Sequence, residues 1–150
     1  SVGVGMALAE KFKNYNNKIV VMVGDGEMQE GQIWEAIISA SHFKLNNLVL
    51  IIDNNKLQDG GFTSEVMNIE SLHQKLSSFK WNTVSFDGHN FEEINKAFKN
   101  IKDGCPNCLI ANTIKGKGIK FMENSIKYHM IGGMDKSLYK KCTKAILNAK

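Results

Sequence analysis

Three features of this sequence predict an α/β fold, a parallel sheet flanked by helices. First, short apolar runs alternate with segments of helical period along most of the chain, which is the pattern of strands joined by covering helices. Second, runs such as Ile19 to Val23 and Leu48 to Ile52 are apolar at every position rather than at every other one, as expected of strands buried on both faces. Third, Gly24-Asp25-Gly26 closes one of these runs and Asn54-Asn55 closes the next, with one helix-length segment between them. Polar groups then gather at the carboxyl ends of neighbouring strands, where open parallel sheets bind ligands.

The elements follow in order. Residues 1 to 13 read as a helix in which Gly3, Gly5, Ala7 and Ala9 allow close approach to neighbours. Ile19 to Val23 is the first strand. The next helix runs from Gln29 to Lys44, with Ile33, Ala36, Ile37 and Ala40 on one face. Leu48 to Ile52 is the second strand, and Ser71 to Phe79 the next helix, its start placed as early as Asn68. A short strand at Thr83 to Phe86 leads to Asn90, an N-cap with Glu93 three residues on in a capping-box pattern; that helix reaches about Lys102. Cys108 to Thr113 is the fourth strand. Residues 114 to 134 form a Gly- and Lys-rich loop without periodicity, a length that in compact domains is usually functional or disordered. A last helix begins near Asp135. There is no repeat and no linker, so residues 1 to 150 read as a single domain.

Bulk properties narrow the function classes. With 43% hydrophobic and 23% charged residues the chain has the composition of a soluble globular domain. It has no apolar run of the roughly 18 residues that cross a bilayer and no secretory leader, so a membrane role is not expected and the cytoplasm is the expected compartment. The first residue is Ser1, which suggests a piece of something longer. The net charge of +4 comes from lysine alone, since there is no arginine. Lys136, Lys140, Lys141 and Lys144 fall at helical spacing on a solvated face, and no nucleic-acid partner is expected. Cys105-Pro106-Asn107-Cys108 spells a CxxC, but no second ligand pair accompanies it. Cys108 leads into a strand, so the pair reads as accidental and Cys108 as a small buried residue.

Either Gly-Asp-Gly or Asn-Asn alone is as well explained by a turn. Together, at strand ends and at this separation, Asp25 and Asn55 read as two hard oxygen ligands of Mg²⁺, with Ca²⁺ or Mn²⁺ as substitutes. The flanking glycines would let backbone N–H groups approach phosphate oxygens. Gly26 is the candidate donor, helped by the amino terminus of the following helix. A diphosphate held through a metal is the simplest reading.

This signature resembles the thiamine diphosphate motif, GDG followed after about 27 residues by paired asparagines. Its wording is closer to one branch. Gly24 to Ala36, His42 to Leu48, Asp53 to Gln58, Asp87-Gly88-His89, Asn112 to Gly118 and Phe121 to Asn124 resemble the amino-terminal half of transketolase, most closely the short bacterial type whose two halves are separate polypeptides. The resemblance implies the thiamine diphosphate-binding fold, with a glycine-rich cofactor turn lying upstream of Ser1. It implies Asp25, Asn55 and the carbonyl of Leu57 as metal ligands. Gly26, Glu27, Asn55, Leu57, Ile114 and His129 become cofactor contacts, with Ile114 as a wall near the thiazolium ring and His129 also catalytic. Glu30 matches a carboxylate near the dimer contact. Lys115 and Lys117 are secondary, electrostatic candidates for drawing in anions. His42 and His73 read as structural and His89 as a turn residue. Two departures stand out: Tyr128-His129-Met130 replaces Trp-His-Gly or Trp-His-Tyr, and Asp59 stands where relatives carry an apolar or small residue.

The implied activity is transfer of a two-carbon ketol unit from a ketose phosphate to an aldose phosphate, as in the pentose phosphate pathway. The partner would be a carboxy-terminal half or second subunit in a dimer or heterotetramer. The rivals are the α component of a 2-oxo acid dehydrogenase, a deoxyxylulose phosphate synthase, or a non-catalytic cofactor-binding half.

Overall fold

The computed structural model describes residues 1–129 and 133–148, so Met130 lies outside the described residues. Helix α1 (Val2–Phe12) leads to strand β1 (Ile19–Gly24), a 3-10 turn (Glu27–Gln29), helix α2 (Gly31–His42) and strand β2 (Leu48–Asn54). A hairpin of β3 (Leu57–Gln58) and β4 (Gly61–Phe62) runs into short helices α3 (Thr63–Val66) and α4 (Leu72–Ser78). Then come β5 (Asn82–Asp87), α5 (Phe91–Lys99), β6 (Asn107–Asn112), a 3-10 turn (Ile126–Tyr128) and α6 (Lys136–Leu147).

The main sheet has four strands in the order β1-β2-β6-β5, and all its pairs are parallel. The expected fold class is therefore the observed one. Alternation along each strand divides two cores. Leu48, Leu50 and Ile52 of β2, with Cys108 and Ile110 of β6, face α1, α2 and α4. Val49 and Ile51, with Leu109 and Ala111, face α5. Both central strands are thus covered on both sides, which is why their sequences are continuously apolar. Trp81 anchors the first core, its indole N–H donating to the Ile37 carbonyl at 3.1 Å. The edge strand β1 is different. Its Val20 and Met22 share the α5 face with their partners Val49 and Ile51, yet at the sheet edge they are 54% and 65% exposed.

Several boundaries move. β2 runs two residues past Ile52, because parallel pairing to β6 continues through Asn54↔Asn112. α2 begins at Gly31 rather than Gln29, since Glu27–Gln29 form a tighter 3-10 turn and Glu30 is extended, with Trp34 Nε1 donating to the Met28 carbonyl at 2.8 Å. No helix starts at Asn68; Ser71 caps α4 instead, accepting from Gln74 N. α5 ends at Lys99, before Lys102. In α1 the close approach is made by Gly3, where a Cβ would lie 2.3 Å from a Val21 methyl, while nothing lies near Gly5, and Ala9 is exposed. The β3–β4 hairpin has no counterpart in the sequence reading, because two-residue strands leave no periodicity to read. Cys105 and Cys108 are free thiols, and Cys108 is fully buried in β6 as a small apolar residue, where burial pushes its thiol pKa up.

Candidate functional site

Parallel register builds the site. Gly24 ends β1 opposite Asp53 of β2, and the ladder goes one step further as Asp25 N donates to the Asp53 carbonyl at 3.1 Å. Asp25 and Asn55 therefore emerge side by side at the carboxyl edge. The Asp25 side chain is only 2% exposed. Its Oδ2 accepts from Lys56 N at 2.5 Å, an arrangement made possible by the left-handed conformation of Lys56 (φ 64°). Burial raises the Asp25 pKa; the Lys56 and Gly26 amides oppose the rise, and the neighbouring Asp53 charge adds to it. The Lys56 ammonium pairs with Glu70, and burial lowers its own pKa.

The Asn55 carboxamide is held at both ends. Nδ2 donates to Asp53 Oδ2 at 3.2 Å and Oδ1 accepts from Leu57 N at 3.0 Å. An amide oxygen has a second lone pair, so Oδ1 keeps the capacity to bind a cation. These groups open on a cleft of about 480 Å³ whose walls include Asp25, Gly26, Asn55, Leu57, Lys115 and His129. Loop 114–129 and the β1–α2 turn thus meet over the strand ends.

The remaining residues fall on both sides of expectation. Glu27 and Glu30 border the cleft, and the Glu27 carboxylate accepts from Gly24 N at 2.6 Å, closing its own turn. Asp59 borders the cleft as well. His129 is half-buried, and its enclosed Nδ1 has no hydrogen-bond partner among the described residues. Ile114 is half-buried but is not part of the cleft wall; its N–H donates to His89 Nε2 at 2.8 Å. His89 thus does more than turn the chain, because it pins the start of the loop. Lys115, the next residue, reaches the wall instead. No local pattern in the sequence points to the Gln29–Gln58 pair. Gln29 Nε2 donates to Gln58 Oε1 at 2.5 Å and Gln58 Nε2 returns a bond at 3.2 Å, tying the 3-10 turn to the hairpin. Gly26 lies under this tie, and a Cβ there would come 3.1 Å from Gln58 Cβ.

These residues fit a divalent cation. A carboxylate this deeply buried is costly to ionise, and its two backbone donors and the Lys56 charge offset the burial only in part, leaving the Asp25 pKa raised. The Asp25 carboxylate and the Asn55 carboxamide, on a cleft that Leu57 also borders, are oxygen donors of the hard type Mg²⁺ accepts. Lys115 adds positive charge at the rim, suited to a phosphate.

Residues 1–141 match the family model described as transketolase, thiamine diphosphate binding domain. The chain belongs to the transketolase family. An apulose-4-phosphate transketolase subunit from Phocaeicola vulgatus is 44% identical over 131 residues, covering 86% of this chain and 47% of the relative. The 6-deoxy-6-sulfo-D-fructose transketolase subunit SqwG of a Clostridium species is 43% identical over 131 residues, covering 86% and 48%. Human transketolase is 36% identical over 126 residues, 83% of this chain and 20% of that protein. Among solved structures, Campylobacter jejuni transketolase superimposes with a TM-score of 0.86 at 32% identity, over 96% of this chain and 24% of that one. The chain spans about half the length of the subunit-type transketolases it matches. No described helix is long and apolar enough to cross a membrane.

Proposed function

We propose that this chain is the thiamine diphosphate- and Mg²⁺-binding half of a cytoplasmic transketolase that moves a two-carbon ketol unit from a ketose phosphate to an aldose phosphate. The observation that carries the reading is the meeting of Asp25 and Asn55 at the ends of paired parallel strands, above a cleft that His129 and Lys115 help to wall. The carboxylate of Asp25, Oδ1 of Asn55 and the Leu57 carbonyl hold Mg²⁺, which Ca²⁺ or Mn²⁺ can replace. Gly26 offers its N–H to the diphosphate, with Glu27 fixing the turn behind it. When bound, thiamine diphosphate supplies a thiazolium ring that serves as an electron sink for the two-carbon fragment. His129, on the wall of the cleft, donates a proton or hydrogen bond to phosphate or to developing alkoxide charge. Ile114, whose N–H is held by His89, would supply an apolar wall near the ring.

Relatives named as subunits support a two-chain enzyme, so the partner is a carboxy-terminal half in a dimer or heterotetramer. In an assay with xylulose 5-phosphate and ribose 5-phosphate, this chain alone shows no turnover and gains it with the partner half. Calorimetry on the reunited halves shows Mg²⁺-dependent thiamine diphosphate binding that Asp25→Ala weakens on the order of 100-fold. Unchanged binding in that variant would refute the metal assignment. The carboxylate of Asp59 at the cleft favours a second reading, a half that binds cofactor without turnover; binding with no turnover in the reunited enzyme would select it.

A further inference from the structure

The metal-site proposal explains Asp25 and Asn55 but leaves a second carboxylate, Asp53, unused at the same strand end. Asp53 is the last β2 position opposite both Gly24 of β1 and Ala111 of β6, so it lies at the junction of three strands. Each of its oxygens is engaged. Oδ2 accepts from Asn55 Nδ2 at 3.2 Å, and Oδ1 accepts from the Thr113 hydroxyl. Thr113 follows directly on β6, and its N–H also donates to the Asn54 carbonyl at 3.3 Å. β6 thus grips the end of β2 twice through one residue.

The donor and acceptor chemistry gives this chain of bonds a direction. An ionised carboxylate only accepts, whereas a carboxamide has one accepting and one donating end. With Asp53 beside it, Asn55 must turn its NH₂ group toward the sheet and its oxygen the other way, toward Leu57 N and the cleft. A carboxamide rotated by half a turn would set oxygen against carboxylate and offer an NH₂ group, which cannot ligate, to a cation. Asp53 is itself kept from rotating by Thr113. On the reading proposed above, we infer that Asp53, held by Thr113, is a positioning residue that fixes the Asn55 amide with its oxygen toward the metal. It is a partner of the ligand rather than a ligand, and it links the site to the start of the loop that carries Lys115 and His129.

Two measurements on the full polypeptide with its partner half test this. In metal-free protein with ¹⁵N-asparagine, the Asn55 side-chain amide, assigned by its loss in Asn55→Asp, exchanges slowly with solvent. Asp53→Asn and Thr113→Val speed that exchange, and Thr113→Ser restores it. In a Mn²⁺ titration with thiamine diphosphate, followed by the paramagnetic signal of the free ion, Asp53→Asn weakens binding about 10- to 100-fold, the range for groups that orient a metal ligand. Thr113→Val weakens it less, and the double variant is no worse than Asp53→Asn alone, because both act along one chain of bonds. Unchanged Asn55 exchange in Asp53→Asn, or Mn²⁺ losses that add in the double variant, would overturn the inference. A wild type that takes up no Mn²⁺ would overturn the metal assignment instead, and the exchange measurement would still decide the orienting role.

Discussion

Asp25 shows how a buried carboxylate sets its own stability cost. Burial holds its carboxyl above the usual carboxylate range, so the folded chain keeps a proton that the unfolded chain has already released. Stability of the metal-free protein therefore falls as pH rises from the unfolded-state pKa through the folded-state one. Asp25→Asn removes this slope, since its amide oxygen can still accept from Lys56 N. Melting curves in chelator near neutral pH should place the variant above wild type. With Mg²⁺ and thiamine diphosphate at about 100 times their dissociation constant the order inverts, because wild type gains about 2.7 kcal/mol from ligand and the variant does not. That Asp25 and Asn55 stand at neighbouring strand ends was legible in the sequence, and the resemblance put His129 near them; all three border one cleft. Asp53 and the Gln29–Gln58 tie were not legible, since their roles lie in bonds to residues distant along the chain.

Caps and turns decide where the helices stop. Asn90 behaves as the sequence indicates, accepting from Glu92 N and Glu93 N. The reciprocal half of the capping box does not form. Asn90 N already donates to the Asp87 carbonyl at 3.1 Å, so the Glu93 carboxylate goes past it to Asp87 N at 2.7 Å. Asn90→Ala should cost about 1 kcal/mol and lower the melting temperature by about 2–4 °C. Gly116→Ala should cost more than about 1 kcal/mol: its φ is 78°, and a Cβ there would lie 2.7 Å from the Met122 carbonyl oxygen. Because that strain falls in the loop bearing Lys115 and His129, cofactor affinity should drop together with stability, whereas Asn90→Ala leaves affinity unchanged. Thermal unfolding alongside calorimetry separates the two. Strands and long helices were legible from their apolar patterns; the hairpin and the 3-10 turn were not, because elements this short are set by tertiary bonds.

At the scale of the whole molecule, the order β1-β2-β6-β5 makes β2 and β6 the structural centre and leaves β1 and β5 at the edges. Leu109, fully buried on β6 against the α5 side, tests this: Leu109→Ala should cost about 2–5 kcal/mol, a large share of the roughly 5–15 kcal/mol that holds a typical domain together. Denaturant melts with an unchanged slope would report it. The α/β class was legible because continuous apolar runs require cover on both faces. The strand order was not, since nothing local in β2 says that its second neighbour comes after α5. That late neighbour has a consequence for biosynthesis. The clasp between Asp53 and Thr113 joins residues 60 positions apart, so a chain emerging from the ribosome presents the Gly-Asp-Gly turn long before the strand that completes its surroundings. The end of β2 gains its second clasp only once Thr113 has cleared the exit tunnel, so a nascent chain stalled short of it carries the turn with Asp53 Oδ1 still unpartnered.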